Sequence, residues 1–270
     1  MLINSIKRGN KIVSRAWLFF LDLVFPVECL GCRQEPDWLC ESCFKKITIK
    51  SKQYCLHCKK ENYFGEFCPA CKINYYLNGV WIASSYEDKL VSKMIKILKY
   101  YFIKDLALDL ANLIKLMLDG PLNRAKILRP SLTDGLGWKN LNLVKTIPLA
   151  ILNFKDNLIM PVPLSKKRFR WRGFNQAELI SRAYAAICGL ELNTAGLVRI
   201  AHKKPQAKLN EVGRLANIKN CYIWIGGNLN NKNIILVDDV VTTGATLNEC
   251  AKILKANGAG EVWGLVIAKG

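Results

Sequence analysis

A chain of 270 residues, 51% of them hydrophobic, can bury a full core and has room for one large and one small domain. Forty basic side chains against 21 acidic ones leave a net charge of +19, which favours polyanionic partners: phosphorylated metabolites, nucleic acid or an anionic membrane face. Neither a Gly-Lys-Ser/Thr loop nor a Gly-x-Gly-x-x-Gly fingerprint occurs anywhere, which removes the commonest nucleotide-binding classes.

In chain order, residues 1–27 are predicted to form an apolar amphipathic helix that ends where Pro26 forbids continuation. Its apolar part, residues 16–25, is too short for a bilayer, contains Asp22 and has no small-residue cleavage site. The sequence therefore predicts no transmembrane segment and no signal peptide. With Lys7, Arg8, Lys11 and Arg15 ahead of it, the helix could lie on the inner membrane face, although packing on the neighbouring domain is the preferred reading. The expected location is the cytoplasm, with a peripheral membrane contact open.

Residues 28–78 are loop-rich and cysteine-dense. Cys29/Cys32, Cys40/Cys43, Cys55/Cys58 and Cys68/Cys71 form four Cys-x-x-Cys knuckles. Each knuckle offers two thiolates to one tetrahedral ion, so four of them predict two structural zinc sites of four cysteines each. Sequential pairing, first with second and third with fourth, is expected; nested or crossed pairing would satisfy the same count. Both sites are full, with no open position for chemistry. His57 reads as an exposed knuckle residue. Cys188, Cys221 and Cys250 read as small buried hydrophobes, and this thiol usage argues for a reducing compartment.

Residues 79–270 are predicted to be α/β. A strand at 80–83 precedes an amphipathic helix at 90–101, which continues, with a break, to Leu118. Residues 121–155 show no clean period and read as an insertion. A strand at 158–160 then leads through Pro161-Val162-Pro163 to a basic loop, in which Lys166, Lys167, Arg168, Arg170 and Arg172 interleave with Phe169 and Trp171. Three readings fit: a pyrophosphate clamp, a track for single-stranded nucleic acid, or a solvated basic face with its aromatics turned inward. A helix follows at 178–187. Lys203 and Lys204 open a second basic stretch reaching Arg214, with the character of a lid over a polyanion or of a plain exposed loop.

Most specific is the run Ile234-Ile235-Leu236-Val237-Asp238-Asp239-Val240-Val241-Thr242-Thr243-Gly244-Ala245-Thr246. An apolar strand ends on two carboxylates, and a hydroxyl-rich turn with one glycine opens a helix at 245–257. Orphan N–H groups and the helix dipole suit a phosphate there, while the carboxylates suit ribose hydroxyls with a divalent cation nearby. The plain alternative is a buried strand with a polar turn. A last strand is predicted at 261–268, and strands alternating with helices imply a mostly parallel sheet whose ligands sit beyond its carboxyl ends.

The run matches the fingerprint by which type I phosphoribosyltransferases bind phosphoribosyl pyrophosphate. Together with the knuckles, the Arg172-Gly173-Phe174-Asn175-Gln176 signature, Tyr86, and a helix carrying Lys96 and Lys99, the chain resembles the ComF family. Its members join an N-terminal double zinc ribbon to a type I phosphoribosyltransferase-like domain. The resemblance implies a role in natural transformation, handling incoming single-stranded DNA. It implies phosphoribosyl pyrophosphate or ribose 5-phosphate with Mg²⁺ as ligand. Asp238 and Asp239 would act in catalysis, while Thr242, Thr243, Gly244, Ala245 and Thr246 hold the 5′-phosphate and Arg168, Arg172, Lys203 and Lys204 the pyrophosphate. Two functions fit: a transferase with an unnamed acceptor, or a non-catalytic sensor that binds single-stranded DNA or a competence helicase.

Overall fold

The computed structural model describes residues 26–62, 64–119, 157–200 and 220–270. The expected N-terminal helix (but for its last two residues), the insertion at 121–155 and the stretch holding Lys203 and Lys204 lie outside these. Among the described residues no helix is long and apolar enough to cross a membrane.

Five parallel strands make the main sheet: β3 (Gly79–Ser85), β4 (Asn157–Pro161), β5 (Glu191–Leu192), β8 (Asn233–Val241) and β9 (Val262–Lys269), in the order β3-β9-β8-β4-β5. The central strands are apolar on both faces, as a parallel sheet covered on both sides requires. Helices α3 (Lys89–Tyr100), α4 (Leu106–Asp119) and α6 (Gln176–Cys188) cover one face, where Val91, Leu98, Leu110 and Ile180 pack on Ile235 and Val237. Helix α7 (Ala245–Ala256) covers the other, with Leu247, Cys250 and Leu254 on Ile234 and Leu236. This is the α/β architecture expected from the sequence.

Local chemistry sets the boundaries. Asp88 caps α3, its Oδ1 accepting from the N–H of Leu90 at 2.9 Å and of Val91 at 3.2 Å. The expected break after α3 falls at Phe102, whose φ of 63° no helix tolerates. A short antiparallel pair, β6 (Leu197–Arg199) with β7 (Tyr222–Trp224), was not anticipated.

Two expectations are corrected. The basic segment is not a loop: Lys166–Arg172 forms helix α5, capped by Ser165, whose Oγ accepts from Arg168 N–H at 3.3 Å, and closed by Gly173 at φ 72°. Nor does the strand at 234–237 stop before the carboxylates. β8 runs on to Val241, held by β9 through Val241↔Lys269, so Asp238 and Asp239 lie inside the strand.

The cysteine-rich segment carries helices α1 (Glu41–Lys46) and α2 (Pro69–Lys72) and a two-residue pair, β1 (Gln53–Tyr54) with β2 (Glu61–Asn62). It straddles the free edge of β3. Cys29, Leu39 and Cys43 join the core under α3, whereas Cys55, Leu56, Phe67 and Cys71 join the core under α7. Along the edge, Lys50 N–H donates to Ala83 O at 2.9 Å and Val80 N–H to Gly65 O at 2.9 Å. The buried Gln53 amide completes the ladder, donating to Ile82 O at 3.1 Å and accepting from Ile82 N–H at 3.0 Å. An edge that would otherwise invite foreign strands is thereby covered.

Candidate functional site

The eight knuckle cysteines gather into two groups, Cys29/Cys32/Cys40/Cys43 and Cys55/Cys58/Cys68/Cys71, with the ligating atoms of each within 4.8 Å of one another. The pairing is sequential, as expected. A tetrahedral zinc with Zn–S bonds of about 2.3 Å places its sulfurs about 3.8 Å apart, so each group fits one ion. Backbone donors add to the fit: Gly31 N–H lies 3.4 Å and Cys40 N–H 3.3 Å from Cys29 Sγ. Burial opposes the Cys29 thiolate, yet the N–H groups of Cys32, Cys40 and Gly31 outweigh it and bring the thiol down to about 6. Cys55 follows suit: against its burial, the N–H groups of Cys58, Cys68 and His57 bring it to about 7. His57 is exposed and faces Tyr75 OH at 3.1 Å, outside the thiol group.

The second site lies where the sheet's connections diverge. β4 leads outward to β5 and β8 leads the other way to β9, which opens a crevice at the carboxyl ends of β4 and β8. β4 follows β8 only as far as Pro161↔Val237, so from Asp238 onward no described strand pairs with that side of β8. Helix α5 flanks the crevice after β4, and the 242–246 turn flanks it after β8.

In that turn Gly244 adopts φ 79°, a conformation that spares the chain a strained side chain. Gly244 has no side chain to cap α7; among the described residues Ala245 N–H has only Thr243 Oγ1, at 3.4 Å. The first turn of this twelve-residue helix thus keeps N–H groups without a side-chain partner there. Thr242 is exposed, and Thr243, Ala245 and Thr246 are half-buried around the same point. Gly244 is needed for a second reason: a Cβ there would come within 2.6 Å of Leu56 Cδ2, from the knuckle between Cys55 and Cys58.

Successive strand residues point to opposite faces, and the two carboxylates part accordingly. Asp239 is buried and ion-paired with Lys99 at the end of α3. Asp238 takes the α7 side, in the field of Tyr222 and Cys250. Asp238 is half-buried and its Oδ1 accepts from Asp239 N–H at 2.8 Å; loss of water around the carboxyl first, then Asp239, push its pKa well above its ordinary value. The two acids expected to orient the ribose hydroxyls thus lie on opposite faces of β8. Among the described residues only the cysteine groups bring three or more metal-ligating side chains together.

Arg172 is buried beside this pair. Its Nη1 donates to Gln176 Oε1 at 2.7 Å, and its guanidinium lies 5.5 Å from the Tyr100 ring centre and 5.7 Å from that of Trp171. Burial lowers its pKa and Asp239 opposes that shift. Among the described residues its Nε has no hydrogen-bond partner. The rest of the Arg172-Gly173-Phe174-Asn175-Gln176 run builds the α5–α6 corner: Asn175 caps α6 and donates to Val162 O at 3.0 Å, while Phe174 is buried in the core. Arg168 sits on the exposed side of α5.

In the sequence Lys99 and Tyr100 stand out only as part of a motif, and Tyr101 only as an apolar position of its helix. Lys99 is the counter-ion of Asp239. Tyr100 and the exposed Trp171 of α5 lie with ring centres 5.8 Å apart, and Phe169 on the same helix and Tyr101 after α3 are exposed as well.

Residues 20–72 match the double zinc ribbon domain family. Competence protein F of Haemophilus influenzae is 30% identical over 254 residues, covering 90% of this chain and 98% of that protein. Competence protein ComFC of Bacillus subtilis is 37% identical over 105 residues, 38% of this chain and 40% of that one. DNA utilization protein YhgH of Escherichia coli K12 is 33% identical over 107 residues, 39% and 47% of the two chains. A purine phosphoribosyltransferase structure from Pyrococcus horikoshii overlaps 44% of this chain and 74% of its own at 14% identity, with a TM-score of 0.27, too low to carry weight. With alignment to competence protein F running nearly end to end in both proteins, the chain belongs to the competence protein F family.

Proposed function

We propose that the chain binds phosphoribosyl pyrophosphate or ribose 5-phosphate at the 242–246 turn and handles single-stranded DNA during DNA uptake. One observation carries the first half: an uncapped twelve-residue helix, opened by Gly244 at φ 79°, at the mouth of the β4–β8 crevice. A 5′-phosphate laid there satisfies the orphan N–H groups and the helix dipole. Thr242, Thr243 and Thr246 add hydroxyls. Asp239 accepts ribose hydroxyls as Lys99 gives way, and Asp238 supports the strand from beneath. Arg172 and Arg168 face the pyrophosphate, and Lys203 and Lys204 are the further cations assigned to it from the sequence. Magnesium would be carried by the ligand's own phosphates. Two zinc ions hold the ribbon, a use of thiols suited to the cytoplasm.

In a transferase, departure of pyrophosphate leaves an oxocarbenium-like carbon, and the chain's task is to stabilise separated charge. Arg172 serves the leaving side and Asp239 the sugar. The Lys99–Asp239 ion pair favours a second reading, a phosphoribosyl sensor without turnover, because it neutralises the anion best placed against a cationic sugar. The DNA half is supported by the names of the relatives, competence protein and DNA utilization protein, and by the aromatic–basic surface of α5. A competence helicase remains the alternative partner.

Calorimetric titration with phosphoribosyl pyrophosphate, followed by pyrophosphate release against a panel of acceptors, tests both. One-site binding is expected. Release that vanishes in Asp239→Asn makes the chain an enzyme, binding without release makes it a sensor, and no binding defeats the proposal.

A further inference from the structure

A cavity of about 480 Å³ opens between the cysteine-rich segment and the ends of β3 and β9, lined by Lys50, Tyr54, Lys59, Tyr86, Glu87 and Lys269 among others. It adjoins the phosphate turn. Gly270 N–H, at its rim, donates to Val241 O at 3.0 Å, and a Cβ on Gly270 would lie 3.7 Å from Thr242 Cγ2. The walls combine two kinds of recognition. Lys50 Nζ lies 4.8 Å and Lys269 Nζ 5.2 Å from the centre of the Tyr54 ring, and Lys50 also donates to Tyr54 OH at 3.2 Å. Among the described residues neither lysine, nor Lys59, forms an ion pair; Glu61 is taken by Lys52, and Glu87 acts on Lys50 only from a distance. Ammonium groups with no ion-pair partner among the described residues, set beside tyrosine rings, suit an anion carried on a planar ring.

Position on the sheet gives the cavity its role. Arg168 and Arg172, assigned above to the pyrophosphate, stand on the β4 side of β8, whereas the cavity stands on the β9 side. Displacement at C1′ brings the nucleophile in opposite the leaving group. We propose that this cavity is the acceptor pocket of the phosphoribosyl site, and that it takes a nitrogen heterocycle bearing a carboxylate. The inference rests on the phosphoribosyl reading above. A ring-nitrogen lone pair forms the N–C1′ bond, the C1′–O bond breaks, and pyrophosphate leaves with the bonding pair. An N–H acceptor also gives its proton to water.

The test uses the zinc-loaded full chain, with nicotinate and orotate as probes and uncharged nicotinamide and uracil as their counterparts. The carboxylates should bind at least about tenfold more tightly than the uncharged rings, and Lys50→Met and Lys269→Met should each forfeit about tenfold, the worth of one charge-assisted contact. Affinity for phosphoribosyl pyrophosphate and zinc content should stay unchanged in both, which shows the variants folded. Equal binding of charged and uncharged rings, unaltered affinity in both variants, or displacement only by a single-stranded oligonucleotide overturns the acceptor assignment and spares the donor site. Failure of phosphoribosyl pyrophosphate itself to bind overturns the donor reading, and this one with it.

Discussion

Asp238 and Asp239 are neighbours in sequence but do different things in space, and the difference is measurable. Asp239 has Lys99 and the field of Arg172, whereas the half-buried Asp238 lies in the field of Cys250 and Tyr222. A carboxyl whose folded pKa is raised binds its proton more tightly folded than unfolded, so its share of stability falls as pH climbs above the unfolded value of about 4. Asp238→Asn should therefore stabilise the chain at neutral pH by about 1 kcal/mol, with little gain near pH ~4, while weakening the ligand site. Urea denaturation at the two pH values checks this, and an equal or reversed effect refutes it. Much of this residue scale was legible. The eight cysteines and the residues 238–246 announce themselves because their chemistry is local. Lys99 was not, since its partner lies on a different element far along the chain.

Among the elements, helix α5 shows where reading stopped short. Five cations in seven positions hide any apolar period, and Pro163 upstream suggests a loop. Ser165 as cap and Gly173 as terminator were both there to be read. Helicity matters because it puts Arg172 inward while Phe169 and Trp171 stay outward. Single-strand affinity should fall with salt, and removing Arg168 and Arg170 should make that dependence shallower, by a slope of about 0.7 for each phosphate no longer neutralised. Trp171→Ala should cost about 1–3 kcal/mol if bases stack there. Fluorescence anisotropy with a labelled oligonucleotide at several salt concentrations reads both, and an unchanged slope and affinity would end the DNA assignment to this helix.

For the whole molecule, the ribbon is more than an appendage. Its two cysteine groups feed opposite faces of the sheet, and Leu56 of the second rests on Gly244 in the phosphate turn. Tyr76 N–H, just after the last knuckle, donates to Asn248 Oδ1 in the first turn of α7 at 2.7 Å. Removing metal from this group should loosen the turn as well as the ribbon, because structural zinc supplies folding energy. Leu56→Ala, with zinc retained, should destabilise the chain by about 2–5 kcal/mol and weaken phosphoribosyl binding. Thermal melts with and without ligand report this; a variant that melts earlier yet keeps full affinity would uncouple ribbon from turn. None of this docking was visible in the sequence, where ribbon and α/β segments read as separate units. Straddling an edge strand is decided by packing between distant segments, on which spacing and periodicity are silent.

The most direct measurement is a crystal structure of the zinc-loaded chain soaked with ribose 5-phosphate. The expected result is a phosphate held by the N–H groups at the start of α7, with the ribose diol toward Asp239 and Lys99 drawn aside. An empty turn at saturating ligand, or a sugar phosphate bound elsewhere while Lys99 stays on Asp239, would contradict the account.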